Sequence, residues 1–90
     1  MALLSSGQKE EVKAEFMQSQ SEAGISMPVK GDIDDVVDAL DSAINSFETV
    51  EGTVDTINEV LSGVAAAANF NSNQKAMLCY LVNKKRWEVS

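Results

Sequence analysis

The sequence predicts an all-α protein, a small bundle of about four helices with an extended connector after the first, in a single domain spanning residues 1–90. Three observations carry this expectation. Apolar residues recur every three to four positions through the middle of the chain, which is the period of a helix face and not the two-residue alternation of a strand. Capping signals, Ser5 with Gln8 and Asn71 with Gln74, stand at the heads of two of the segments read as helices. Glycine, proline and asparagine punctuate the gaps between segments.

The first helix is expected from about Gly7 to Gln20. Ser5 or Ser6 caps it, Val12 and Phe16 share a face with Met17 beside them, and Gly24 stops it. Ile25 to Val29 reads as an extended connector, because Pro28 holds Met27 out of the helical region. Ile25 and Met27 are the side chains expected to pin that connector to the core. The second helix starts near Gly31 or Asp32 and runs to about Glu48. Its residues Ile33, Val36, Val37, Leu40, Ile44 and Phe47 fall in an arc of roughly 100°, with Asp34, Asp38 and Asp41 on the other side. After a break near Glu48–Gly52, a third helix is expected from Thr53 to Ala67, with Val54, Ile57, Val60, Leu61 and Val64 as its stripe. Helices two and three forming one long kinked helix is the alternative. Asn69 to Asn73 reads as a turn, and a fourth helix as running from about Asn73 to Trp87. Its run Met77, Leu78, Cys79, Tyr80, Leu81 and Val82 points in all directions. A helix of that kind is buried on every side or meets another subunit.

The net charge is −7, and the charge is unevenly placed. Residues 1–28 hold two lysines against four glutamates, residues 29–66 one lysine against nine acids, and residues 67–90 four basic residues against one acid. An acidic middle and a basic end can pair within the chain or with a neighbour. The acid excess argues against direct binding to nucleic acid, which needs a basic surface. No apolar run approaches the ~20 residues of a membrane span, and the start of the chain has neither the apolar stretch nor the basic flank of a signal peptide. One cysteine, Cys79, excludes an internal disulfide and fits a reducing compartment.

Catalytic chemistry finds little support. The chain has no histidine, so a Cys–His nucleophile is excluded and a structural zinc site has too few ligands. No phosphate-binding glycine loop is present. A calcium loop counted from Asp32 would need glycine at its sixth position and glutamate at its twelfth, where Val37 and Ala43 stand. No catalytic, cofactor-binding or metal-binding residue is therefore assigned. Asp34, Asp38 and Asp41 form an acidic face whose ordinary reading is solvation, with a basic partner as the alternative. Lys84, Lys85 and Arg86 complement the helix dipole or form salt bridges, with phosphate contact the weaker option. Tyr80 and Trp87 lie seven apart on one side of the fourth helix, where core packing is the ordinary reading and a subunit interface the other. Cys79 reads as a small buried hydrophobe. Met77, Tyr80, Leu81, Lys84, Lys85, Arg86 and Trp87 make up the candidate interface.

Three segments carry a resemblance. They are Gln8-Lys9-Glu10-Glu11-Val12-Lys13-Ala14-Glu15-Phe16-Met17, the Asp-rich Asp32-Ile33-Asp34-Asp35-Val36-Val37-Asp38-Ala39-Leu40-Asp41, and Gln74-Lys75-Ala76-Met77-Leu78 with the ending Lys84-Lys85-Arg86-Trp87-Glu88-Val89. In this order they resemble small helical structural proteins of tailed bacteriophages, over roughly half of the chain. The stretch from Glu48 to Phe70 departs from the proline-containing loop of such proteins. The resemblance implies a multi-copy virion protein, made in the host cytoplasm. It would contact copies of itself and portal, capsid or tail proteins, most naturally at the head–tail neck. A capsid decoration protein, or a small acidic module that regulates a host protein, is the alternative.

Overall fold

The first, third and fourth α helices each begin where a side chain accepts from one of their first N–H groups. A computed structural model describes residues 3–47 and 52–89, the side chain of Phe47 excepted. In α1 (Ser6–Ala23) the Ser5 hydroxyl accepts from the Gln8 N–H at 3.2 Å, and the Gln8 carboxamide accepts from the Ser5 N–H at 2.8 Å. This is the expected capping box. The helix runs three residues past Gln20 and stops at Gly24, whose φ of 71° lies in the left-handed region that glycine enters without a Cβ clash.

The connector departs from expectation, because Ile25 and Met27 stay exposed and do not anchor it. A polar contact anchors it instead. The Gln74 carboxamide donates to the Ser26 carbonyl at 3.1 Å and to the Gln20 side chain at 3.2 Å. The backbone of a short crossing segment needs such partners, and Gln74 supplies one from another helix.

In α2 (Lys30–Phe47), Ile33, Val36, Val37, Leu40 and Ile44 are all buried, so the apolar arc faces the core as its spacing requires. The place of the Phe47 side chain on that arc and the end of the helix at Glu48 lie outside the described residues. So do residues 48–51 of the expected break. The third helix is shorter than expected. α3 spans Val54–Val60, capped by the Thr53 hydroxyl, which accepts from the Thr56 N–H at 3.3 Å. The chain then turns through residues 61–63 and enters a 3₁₀ helix, Ala65–Asn69. Ser62 and Gly63 are weak helix formers. The turn they allow lets Ala66, Ala67 and Phe70 swing onto the core, while Val54 of the supposed stripe remains exposed.

α4 (Ser72–Val89) opens with a second reciprocal cap. Asn71 Oδ1 accepts from the Gln74 N–H at 2.8 Å, and Gln74 Oε1 accepts from the Asn71 N–H at 2.9 Å. The helix runs antiparallel to α1, as the pairs Gln20–Gln74, Glu15–Lys84 and Glu11–Lys85 require. Leu78, Cys79, Leu81 and Val82 are buried. With Phe16 and Phe70, whose ring centroids lie 6.2 Å apart, they complete one core shared by all four α helices and the 3₁₀ helix. Among the described residues, no helix is long and apolar enough to cross a membrane.

Charge fastens α1 to α2. Lys13 is buried, with its ammonium 2.7 Å from Asp34 and 3.3 Å from Glu10. Burial pushes its pKa down, but hydrogen bonds to Asp34 and Glu10 outweigh this and leave it raised. The hydrogen bond from Lys13 is also the main cause that holds the Asp34 carboxyl below its ordinary value, with Lys30 assisting. The signs are those of a neutral-pH clasp. A depressed carboxyl contributes stability that is lost as pH falls through its folded pKa, below the usual aspartate range. A raised lysine contributes stability that is lost as pH rises past the usual lysine range. Asp34→Asn is therefore expected to lose less of its urea midpoint than the parent chain between neutral pH and about pH 2. An equal acid loss in both would show that Asp34 contributes nothing to the acid response.

Candidate functional site

Two groups of residues stand out in the sequence, the α2 aspartates and the end of α4. The structure divides both. Asp34 and Asp38 lie at the surface, and Asp38 pairs with Lys9 at 3.0 Å. Asp41 does not share their solvated face. It is 0% exposed and surrounded by donors. The Leu4 N–H donates to its carboxylate at 3.1 Å, the Arg86 guanidinium lies at 3.2 Å and the Lys9 ammonium at 3.8 Å. Arg86 is itself only 3% exposed and also donates to Asn45 Oδ1 at 3.4 Å. Asp41 and Arg86 are thus a buried ion pair joining α2 to α4, not parts of an outer face. The spacing holds a signal for both. Asp41 stands four residues after Val37 and three before Ile44, and Arg86 stands four after Val82. Each lies next to core side chains along its own helix.

The fourth helix is sorted in the same way. α1, α2 and α3 cover three sides of it, so Leu81 and Arg86 point inward and cannot serve an outer interface. Met77 is half-buried and packs on the core. Lys85 is held between Glu11 at 3.0 Å and Glu88 at 3.1 Å, and those hydrogen bonds raise its pKa. Of the candidate interface residues, Tyr80, Lys84 four residues on and Trp87 three further remain outside on one stripe, and Glu88 and Val89 at the end of the helix are exposed as well. Tyr80 is 60% exposed and Trp87 75%, so neither belongs to the core. Lys84 leans from the stripe to Glu15 at 3.7 Å.

Among the described residues, cations and carboxylates are engaged unequally. All seven Lys and Arg side chains are engaged within the chain. Lys9, Lys13, Lys30, Lys84, Lys85 and Arg86 are ion-paired, and Lys75 donates to Asn58 at 3.1 Å. Among the described residues, the exposed carboxylates of Asp35, Asp55 and Glu59 form no ion pair. The three adjacent cations at the end of α4 are each paired with a carboxylate of this chain.

The Cys79 thiol is buried, which pushes its pKa up, and a hydrogen bond from the Asn83 carboxamide at 3.7 Å only partly offsets this. Such a thiol stays protonated and is not a nucleophile. Among the described residues, no three His, Cys, Asp or Glu side chains gather as metal ligands. The depression lined by Val54, Ile57, Asn58, Ser72 and Lys75 encloses no room for even a water-sized body. Comparison with protein-family models, with curated proteins and with solved structures finds no match.

Proposed function

We propose that this chain is a non-enzymatic assembly subunit that works by capturing other protein subunits. In line with its pattern similarity to small tailed-phage proteins, we place it as a multi-copy virion component at the head–tail neck, against portal or tail proteins. The observation that carries the reading is the Tyr80–Trp87 stripe. Trp and Tyr are the side chains most enriched at the energetic centres of protein interfaces. Here Tyr80 and Trp87 are both more than half exposed, on a helix that also packs against the core. Leaving two large aromatics exposed forgoes burial worth about 1.5–3 kcal/mol for a side chain of that size, and a partner surface recovers it.

The test is light scattering and pull-down with portal, capsid and tail proteins. The chain is expected to form a stable complex with one of them. Trp87→Ala and Tyr80→Ala are expected to weaken that complex by about 2 kcal/mol or more, with the urea midpoint nearly unchanged, because both side chains lie outside the core. A strict monomer that ignores all three proteins would sink the proposal. So would alanine variants that assemble as well as the parent. A one-to-one complex with a host protein would replace it with the regulatory-module reading.

A further inference from the structure

We propose that α1 is exchanged between two copies of this chain. Each copy inserts its first helix between α2 and α4 of the other, and the two connectors cross antiparallel at Met27. The exchange uses a different surface from the Tyr80–Trp87 stripe and goes beyond the subunit capture proposed above.

The seat of α1 is coded by charge. Toward α2, the Lys9 ammonium meets Asp38 at 3.0 Å and the Lys13 ammonium meets Asp34 at 2.7 Å. Toward α4 the signs reverse, with Glu15 on Lys84 at 3.7 Å and Glu11 on Lys85 at 3.0 Å. A helix with cations on one edge and carboxylates on the other fits this seat, and the α1 of a second copy carries the same two edges. Every contact of the closed chain is then remade between copies, including Phe16 on Phe70 and the Leu4 N–H on Asp41. Exchange of identical elements costs little beyond the hinge for that reason. The helix is also lightly anchored, since Val12 and Phe16 are its only fully buried apolar side chains.

The hinge holds what the closed chain leaves unused. Ile25, Met27 and Val29 alternate along the connector and are 44%, 42% and 69% exposed. Pro28 keeps Met27 extended. Gln74 fastens the segment at the Ser26 carbonyl, whereas among the described residues neither the Met27 N–H nor its carbonyl has a partner. The order Ile-x-Met-x-Val is symmetric about Met27. Two connectors lying antiparallel set Met27 against Met27, where the two residues exchange N–H···O bonds. Each Ile25 then faces a Val29, an apolar cross-strand pair of the kind that stabilises a ribbon. The Pro28 position turns away from that ladder, so its missing N–H costs no bond.

Two charge variants test the exchange. Glu11→Lys/Glu15→Lys makes α1 repel its own α4, and Lys84→Glu/Lys85→Glu makes α4 repel its own α1. Only an exchanged pair with one chain of each kind restores opposite charges at both seats. Native mass spectrometry and sedimentation of the equimolar mixture are expected to show a one-to-one dimer, about a hundredfold tighter than the self-dimer of either variant. In the parent sequence, Met27→Asp sets two carboxylates face to face at the crossing. It is expected to weaken the parent dimer about fivefold, with the urea midpoint nearly unchanged because Met27 is exposed. Should either charge variant lose its helix content, isotope-labelled and unlabelled parent chains supply a second measurement: dimers of mixed mass that survive Trp87→Ala are expected. A mixture that stays monomeric would overturn the exchange. So would dimers as abundant in each charge variant alone as in the mixture, or parent dimers abolished by Trp87→Ala, since both place the contact on another face. A Met27→Asp chain that dimerises as well as the parent would overturn the crossing of the connectors.

Discussion

Asp41→Asn is expected to destabilise the protein by about 3–5 kcal/mol, a large share of the ~5–13 kcal/mol available to a domain of this size. The carboxylate is fully buried and is the counter-charge of a buried guanidinium, Arg86 at 3.2 Å, with the Lys9 ammonium beside it at 3.8 Å. An amide of the same shape keeps the volume and loses the charge, which leaves the guanidinium in the interior without this partner. The surface aspartate one turn earlier is the control. Asp38 pairs with Lys9 at 3.0 Å but has a side chain 56% exposed, so Asp38→Asn should cost only about 0.2–1 kcal/mol. Urea unfolding of the two variants measures the contrast. Replacing both members of the buried pair, as Asp41→Leu with Arg86→Met, is expected to recover much of the loss, since apolar substitutes of similar volume are often neutral or better. Recovery stays incomplete, because the Leu4 N–H loses its acceptor. Equal midpoints for Asp41→Asn and Asp38→Asn would refute the burial argument.

Phe16→Ala is expected to cost about 3–5 kcal/mol by the loss of a buried ring and the cavity it leaves. α1 is unusually dependent on this residue. Its fully buried apolar side chains are Val12 and Phe16 alone, and the rest of its buried surface is Lys13 and Gln20. Phe16 also reaches across to Phe70, at 6.2 Å between centroids, and so ties α1 to the segment that follows the 3₁₀ helix. Without the ring, α1 is held chiefly by Val12, Leu4 and its ion pairs. Circular dichroism and urea titration should show a less stable chain, with α1 amides first to lose protection in hydrogen exchange. A loss below about 1 kcal/mol would mean that α1 docks through charge rather than through Phe16.

Local rules carried the sequence reading furthest. Both capping boxes need only residues three apart, and both are formed, at Ser5–Gln8 and Asn71–Gln74. The core face of α2 is set by a single helical period and is buried as read. The readings that failed depend on distant partners. Whether an aspartate on the edge of an apolar arc is solvated or buried turns on a guanidinium 45 residues away. Spacing along α2 sets Asp41 next to Val37 and Ile44 but does not name the guanidinium that pairs with it. The run Met77 to Val82 declares a helix apolar on all sides, but the positions of α1, α2 and α3 decide that Tyr80 is the side left out. The expected third helix is longer than α3 because Val54 to Val64 keeps a helical period. The competing preference, small alanines and Phe70 seeking α2, shows only once α2 is in place.

The Asp41 cluster also bears on how long the native state lasts once formed. Its members come from residues 4, 41 and 86, with sequence separations of 37 and 45 between bonded partners. Helices of 18 residues close their own hydrogen bonds within about a microsecond, whereas this cluster forms only after three remote stretches have met and shed their water. Contacts absent from the folding barrier act on the rate of escape and not on the rate of arrival. Asp41→Asn should therefore shorten the lifetime of the folded state while folding proceeds at nearly the parental rate, which stopped-flow measurement of both limbs reads directly.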